Sequence, residues 1–231
     1  MTYPPVPALC APPVRAEVSD ESIVRVSLDR CQRGIALTEF ALTFPILLIL
    51  ASSGIELINY ALTVKKVGEL AVMVSDNASR MGAQSAINNK PISEAEINDV
   101  FIGADLQGSE LSLGQRGKIV LSSLQQNKTG GQTIMWQRCF GGDAYHSAYG
   151  TEGTGATGNS FAGMGPTGQE ITAASGTAVM VVEIHYTYKR LMPIISLPLR
   201  DITEFSAYNV RDSRDLTEVH NDENVTRSIC T

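Results

Sequence analysis

The chain has 231 residues, 43% hydrophobic and 18% charged, with a formal net charge of −6. That length holds one ordinary domain with an accessory segment, or two small domains, and the apolar content excludes a wholly disordered chain. With 18 Lys and Arg against 24 acids, and no tract interleaving basic with aromatic residues, a dedicated nucleic-acid binder is excluded.

Residues 1–34 open with Pro4, Pro5, Pro7, Pro12 and Pro13 and continue as a mixed-charge stretch whose four arginines balance four acids. From Phe40 to Val64 come 25 residues with Glu56 as the single charge, long enough to cross a bilayer core. A secretory signal has a shorter apolar core ending in small residues. Here the helical spacing continues instead through Leu62, Val67, Leu70, Ala71 and Val74. The pattern predicts one helix over residues 35–81, about 70 Å long at ~1.5 Å per residue. Its first part is a membrane span at about 40–64, and its second an amphipathic extension into water. Arg25, Arg30 and Arg33 precede the span while Lys65 and Lys66 follow it, which places the N-terminus in the cytoplasm.

Residues 82–231 follow as an aqueous domain. Residues 88–91 carry turn signals, and Ser93-Glu94-Ala95-Glu96 is a capping box that opens a helix reaching about Asp105. Strands are expected at 118–125 and 133–140, joined by the turn Lys128-Thr129-Gly130-Gly131 into a hairpin. Nine of the 20 glycines lie in 141–168, which marks a surface loop rather than a packed element. A further strand starts at Gly176, with Met180, Val182, Ile184, Tyr186 and Tyr188 on its core face and Val181, Glu183, His185 and Thr187 outward. Ile202 to Val210 supplies a fourth strand. These elements make an α+β fold: a long N-terminal helix, a short helix and a small antiparallel sheet packed on the long helix's outer half.

Motifs for catalysis are weak. Gly153-Thr154-Gly155-Ala156-Thr157-Gly158 has GxGxxG spacing but lacks the preceding strand and following helix of a dinucleotide cradle. Gly158 to Gly163 is one residue too long for a nucleophile elbow. His146 and His220 fall in polar loops and are read as solvated. The acids Asp212, Asp215, Glu218, Asp222 and Glu223 lack an EF-hand pattern, and no Cys-x-x-Cys occurs. No catalytic residue, metal or other cofactor is therefore expected.

Around the start of the span the sequence is Arg33-Gly34-Ile35-Ala36-Leu37-Thr38-Glu39-Phe40. A glycine followed at the fifth position by glutamate and at the sixth by an aromatic resembles a prepilin peptidase site. The 47 residues from Gly34 to Arg80, with Glu39-Phe40, Pro45, Gly54, Glu56 and the tail Ala78-Ser79-Arg80, resemble the N-terminal segment of TadE-like pseudopilins. Those are minor subunits of the tight-adherence (Tad), or type IVc, pilus. The resemblance implies a pilin-like fold, cutting between Gly34 and Ile35 by a membrane prepilin peptidase, and a leader that stays in the cytoplasm. It implies that Glu39 pairs with the new amine of a neighbouring subunit; otherwise its carboxylate sits at headgroup level. Phe40 would pack with neighbouring N-terminal helices, and Pro45 would be a flexible point, or an ordinary membrane-helix proline. Glu56 would be an inter-subunit contact or the outer boundary of the span. Partners would be other pilin subunits, the peptidase, the Tad assembly platform and the inner membrane. The C-terminal domain would be periplasmic, and extracellular after assembly.

The implied cut also divides the cysteines. Cys10 and Cys31 fall in the leader, and Cys139 and Cys230 in the exported part, where an oxidising compartment lets them pair. The alternative is two unconnected thiols. Three other readings share parts of this pattern: an uncleaved anchored adaptor binding a partner through its glycine-rich loop, a membrane-tethered hydrolase, and a type II secretion pseudopilin.

Overall fold

A computed structural model describes residues 32–82, 90–192, 197–211 and 214–230. The expected leader up to residue 31, with Cys10 and Cys31, lies outside the described residues, as do Asn88 and Asn89 of the expected turn. The chain divides into two units, residues 1–54 and 55–231.

Helix α1 runs Gln32–Arg80, 49 residues with Pro45 inside, and contributes to both units. It matches the expected helix to within three residues at either end. In the first unit its apolar side chains are exposed: Leu37, Phe40, Leu42, Phe44 and Ile46 through Leu50 all face outward. Among the described residues there is thus one helix long and apolar enough to cross a membrane.

In the second unit the same helix turns amphipathic. Tyr60, Val64, Val67, Ala71, Val74, Ala78 and Met81, spaced by four and three, join the main core. Each fully buried Val or Leu contributes about 1.5–3 kcal/mol relative to leaving it in water. The helix end is capped from a distance: the Arg214 guanidinium donates to the carbonyls of Ala78 and Ser79.

Strand β1 (Lys90–Ser93) follows, so Pro91 is in extended backbone rather than in the expected turn. Helix α2 (Glu94–Gln107) starts at the expected capping box: Glu96 N–H donates to Ser93 Oγ at 3.2 Å, and Ser93 N–H to Glu96 Oε2 at 3.2 Å. A 3-10 turn (Ser109–Leu111) and a single-turn helix α3 (Leu113–Arg116) lead into the sheet. Strands β2 (Gly117–Gln126) and β3 (Gln132–Phe140) form the expected hairpin. Strands β4 (Ala178–Tyr186) and β5 (Ile202–Asn209) complete an antiparallel sheet of order β3-β2-β4-β5. Strand β6 (Arg214–His220), not anticipated, pairs in parallel with β1 as a separate two-stranded sheet. Both are short and polar, which hides the alternation that marks a strand.

One face of the sheet packs on the helices through Ile119, Leu121, Trp136, Met180, Val182 and Ile184. The other face was expected in solvent, and the structure corrects this. Val179 and Val181 of β4, with Leu124 and Ile134, form a second core under Tyr149, Phe161, Met164, Ile171 and Ala173. These covering residues come from the glycine-rich segment and its continuation, so 141–168 is a packed layer, not a free surface loop. A bulge makes this possible in β3. Ser123 pairs with Trp136 but Leu124 pairs with Ile134, leaving Met135 unpaired, so Trp136 and Ile134 face opposite layers.

The glycines let the segment lie close. Ile134 N–H donates to Thr154 O at 2.9 Å and Gly153 N–H to Ile134 O at 2.8 Å, covering the outer edge of β3. Gly155, at φ +74°, could not carry a side chain, since a Cβ there would lie 2.2 Å from the Gln132 carbonyl oxygen. Gly141, at φ +112°, is equally tight against the Gly117 carbonyl.

Cys139 and Cys230 are joined in a disulfide, 91 residues apart in sequence. The tail it holds also bonds to β3 and α2: Cys139 N–H donates to Ser228 O at 2.7 Å, and Asn98 Nδ2 to Thr226 O at 2.9 Å. Closing a loop of this size stabilises a fold by at most about 4–5 kcal/mol. Urea unfolding of the Cys230→Ser chain should show a lowered midpoint, with a loss of unfolding free energy within that limit, together with tryptic cutting at Arg227. An unchanged midpoint and an uncut tail would show that the bridge constrains nothing.

Candidate functional site

The residues singled out by sequence fall in two places. Gly34, Ile35, Glu39, Phe40 and Pro45 all lie on α1 in the first unit. The backbone is already helical at Gly34 and Ile35. A peptidase that takes an extended strand must therefore unwind the first turn of α1. Glu39 is exposed, and its carbonyl accepts from Thr43 Oγ1 at 2.9 Å. Phe40 is exposed and stacks on Phe44 with ring centroids 5.0 Å apart. Pro45 has no N–H for the Ala41 carbonyl, yet the helix continues through it. Glutamate, aromatic rings and aliphatic chains are thus offered along one exposed stretch of helix.

Glu56 is in a different setting. Its side chain is fully buried in the second unit. Tyr188 Oη donates to Glu56 Oε1 at 3.0 Å, while the N–H groups of Leu191 and Met192 donate to Oε2 at 3.1 and 2.9 Å. Asn59 Nδ2 donates to Tyr188 Oη at 2.7 Å, and Tyr60 meets the Tyr188 ring edge-on. Glu56 therefore fastens the segment after β4 to α1 within its own chain, rather than offering a carboxylate to a neighbour. The sequence carried a signal for this: Glu56 is four residues before Tyr60, on the same stripe as Val67 and Val74.

Two further buried carboxylates were missed. Glu94, at the start of α2, is fully buried and receives the Arg138 guanidinium through Nε at 2.9 Å and Nη2 at 2.6 Å. Arg138 also reaches Glu152 at 2.9 Å, and this web holds its charge above the usual arginine range despite burial. The pair adjoins the disulfide. Breaking such a pair strands a buried charge, which costs far more than the pair contributes.

Glu183 projects from β4 into the glycine-rich layer. Ser147 Oγ, Tyr145 Oη at 3.2 Å and Ala148 N–H at 3.0 Å all donate to it. Burial pushes its carboxyl above the usual glutamate range, outweighing those hydrogen bonds. Burial next to this carboxylate also pushes the Tyr145 phenol up to about 12. His185, expected on an open face, is largely covered: it stacks on Tyr145 at 4.5 Å, with Nδ1 3.2 Å from Asp143 Oδ2. Burial works against the Asp143 charge, but hydrogen bonds from Thr187 and His185 hold its carboxyl below the usual range. The imidazole and carboxylate sit as a base and its orienter do. The hydroxyls of Ser147 and Thr187, however, bond to Glu183 and Asp143 rather than to the imidazole. His146 is exposed in the loop, as expected, whereas His220 is not a solvated loop residue: pairing of β6 with β1 leaves it half-buried near Asp215. Among the described residues no three His, Cys, Asp or Glu side chains are grouped to hold a metal.

No protein-family model, curated protein or solved structure matches the chain.

A pH dependence follows from Glu183. With its folded pKa raised, the folded chain keeps a proton that the unfolded chain has released just above the ordinary glutamate value. Its contribution to stability is therefore present at acid pH and lost as pH rises through the raised value. Asp143 acts in the opposite sense, losing its contribution as pH falls through its depressed value. As pH rises from the ordinary glutamate value through the raised one, the denaturation midpoint of the native chain should fall relative to that of Glu183→Gln. Parallel profiles would contradict the assignment.

Proposed function

We propose that this chain is a structural, non-catalytic minor pilin or pseudopilin of a Tad (type IVc) pilus. It is inserted in the inner membrane, cut between Gly34 and Ile35 by prepilin peptidase, and assembled with other pilin subunits through the N-terminal half of α1. The Tad assembly platform would act on it there, and the domain from residue 82 onward would stand in the periplasm until assembly carried it outside the cell. Glu39 is the assembly carboxylate and Phe40 the first packing residue.

One observation carries this reading most. A single continuous helix has an exposed apolar first part and a second part built into the core of a disulfide-bonded α+β domain. An apolar helix that is almost wholly exposed needs a covering, either lipid or the equivalent helices of other subunits. The resemblance of 34–80 to TadE-like segments supplies the second covering. The helical backbone at Gly34 and Ile35 favours one rival, an uncleaved anchored adaptor, because cutting there requires local unwinding.

Processing separates the two. Intact mass and N-terminal sequence of the protein from membranes should give a start at Ile35 when prepilin peptidase is present and the full leader when it is absent. Glu39→Ala should still be cut but should not enter filaments. A chain that keeps its leader in both backgrounds would favour the adaptor.

A further inference from the structure

A carboxylate within an apolar run is expensive to keep in lipid unless its partners come with it. Glu56 lies eight residues before the end of the 40–64 run, about 12 Å along the helix at ~1.5 Å per residue. Its partners are the backbone and tyrosine of residues 188–192. Backbone N–H and C=O groups outside a helix are not tolerated against hydrocarbon. A span reaching Val64 would drag this segment, with Lys189 and Arg190, some two turns into the bilayer. The 16 residues from Phe40 to Ile55, by contrast, measure about 24 Å, which local thinning of a ~30 Å hydrocarbon core accommodates, and they leave Glu39 at headgroup level.

The surface beside Glu56 has two characters. Ile55, Leu57, Ile58 and Leu62 of α1 are exposed, and Leu191 is 58% exposed at the clamp itself. Next to them Lys66, Arg116 and Lys189 line, with Tyr188 and Gln115, a groove of about 270 Å³. Lys66 is engaged by Glu110. Among the described residues no carboxylate lies within ion-pair distance of Arg116, Lys189 or Arg190. Arg190 interacts with the Glu56 charge beneath it, while Arg116 and Lys189 have no such partner among these residues. Apolar side chains beside these cations match the boundary between acyl chains and anionic phosphates.

We propose that residues 188–192 are a membrane-docking strap, clamped by Glu56 and seated in the headgroup layer of an anionic phospholipid bilayer. Leu191 enters the acyl boundary, while Lys189, Arg190 and Arg116 meet lipid phosphates. The strap sets the depth of the chain, so the hydrocarbon span ends at Ile55 rather than at Val64. The inference rests on the membrane-anchored part of the proposed function and is independent of processing and pilus assembly.

The test uses the full chain with Leu191→Cys, in a Cys10→Ser, Cys31→Ser background, labelled with an environment-sensitive fluorophore. It is reconstituted in phosphatidylcholine vesicles with or without phosphatidylglycerol. Leu106→Cys, on an exposed position of α2, serves as the aqueous control. The label at 191 should be shielded from iodide and quenched by headgroup-linked nitroxide lipids in the anionic vesicles, while the label at 106 stays open to iodide. Each basic residue near an anionic surface is worth about fivefold, so Lys189→Gln with Arg190→Gln should lower the docked-to-free ratio about thirtyfold. Because Leu191→Cys itself removes an apolar contact, the label is also placed at Met192→Cys with Leu191 intact and should behave alike. Equal iodide access at 191, 192 and 106 in a chain that resists alkaline carbonate would overturn the strap and leave anchoring standing. Release of the chain by carbonate would overturn both.

Discussion

The structure depends on a single stripe of side chains along the second half of α1. From Tyr60 to Ala78 the apolar residues recur at intervals of four and three, which keeps them on one face of the helix. That face shares one buried core with Met180, Val182 and Ile184 of β4 and Ile119 and Leu121 of β2, the two central strands of the sheet. Without it the sheet would have one covered face only, and the helix would have no reason to stay helical in water. The same helix, with no break, leaves its N-terminal apolar residues exposed. A bilayer or a bundle of like helices can therefore hold one half while the domain holds the other.

Around this axis three buried glutamates act as fasteners. Glu56 holds residues 188–192 against the helix, Glu94 takes the guanidinium of Arg138 on β3, and Glu183 binds the start of the glycine-rich layer. Each receives several donors, as a charge removed from water requires. Each joins segments far apart in sequence, so each removes freedom from a cover rather than adding to the apolar core. The disulfide does the same for the tail. The sheet is thus wrapped on its second face, on the β3 edge and at the C-terminus by chain that contains little regular structure.

Most of the regular elements were legible in the sequence because period and punctuation agreed. Helix α1, the capping box at Ser93, the Lys128-Gly131 hairpin and strand β4 lie within a few residues of their expected positions. The Cys139–Cys230 bridge also forms as the division of the cysteines implied. What was not legible depends on tertiary contact. Glycine content suggested a free loop at 141–168, whereas glycines there permit backbone to approach backbone, as Gly155 does at Gln132. Val181, Glu183 and His185 looked outward only because nothing in the sequence announced a third layer. Strands β1 and β6 hold together by pairing with each other, a long-range event with no local pattern. The role of Glu56 was half legible: its place on the buried stripe was in the spacing, but its partners were not.

The central claim is that α1 belongs to two environments, with its second half an integral part of the domain core. Hydrogen exchange of the full chain in lipid nanodiscs, followed through a urea series, tests this directly. Amides of 67–80 should lose protection together with those of β2 and β4, while amides of 40–54 stay protected by the bilayer. Exchange of 67–80 at lower urea than the sheet, or together with 40–54, would contradict the claim.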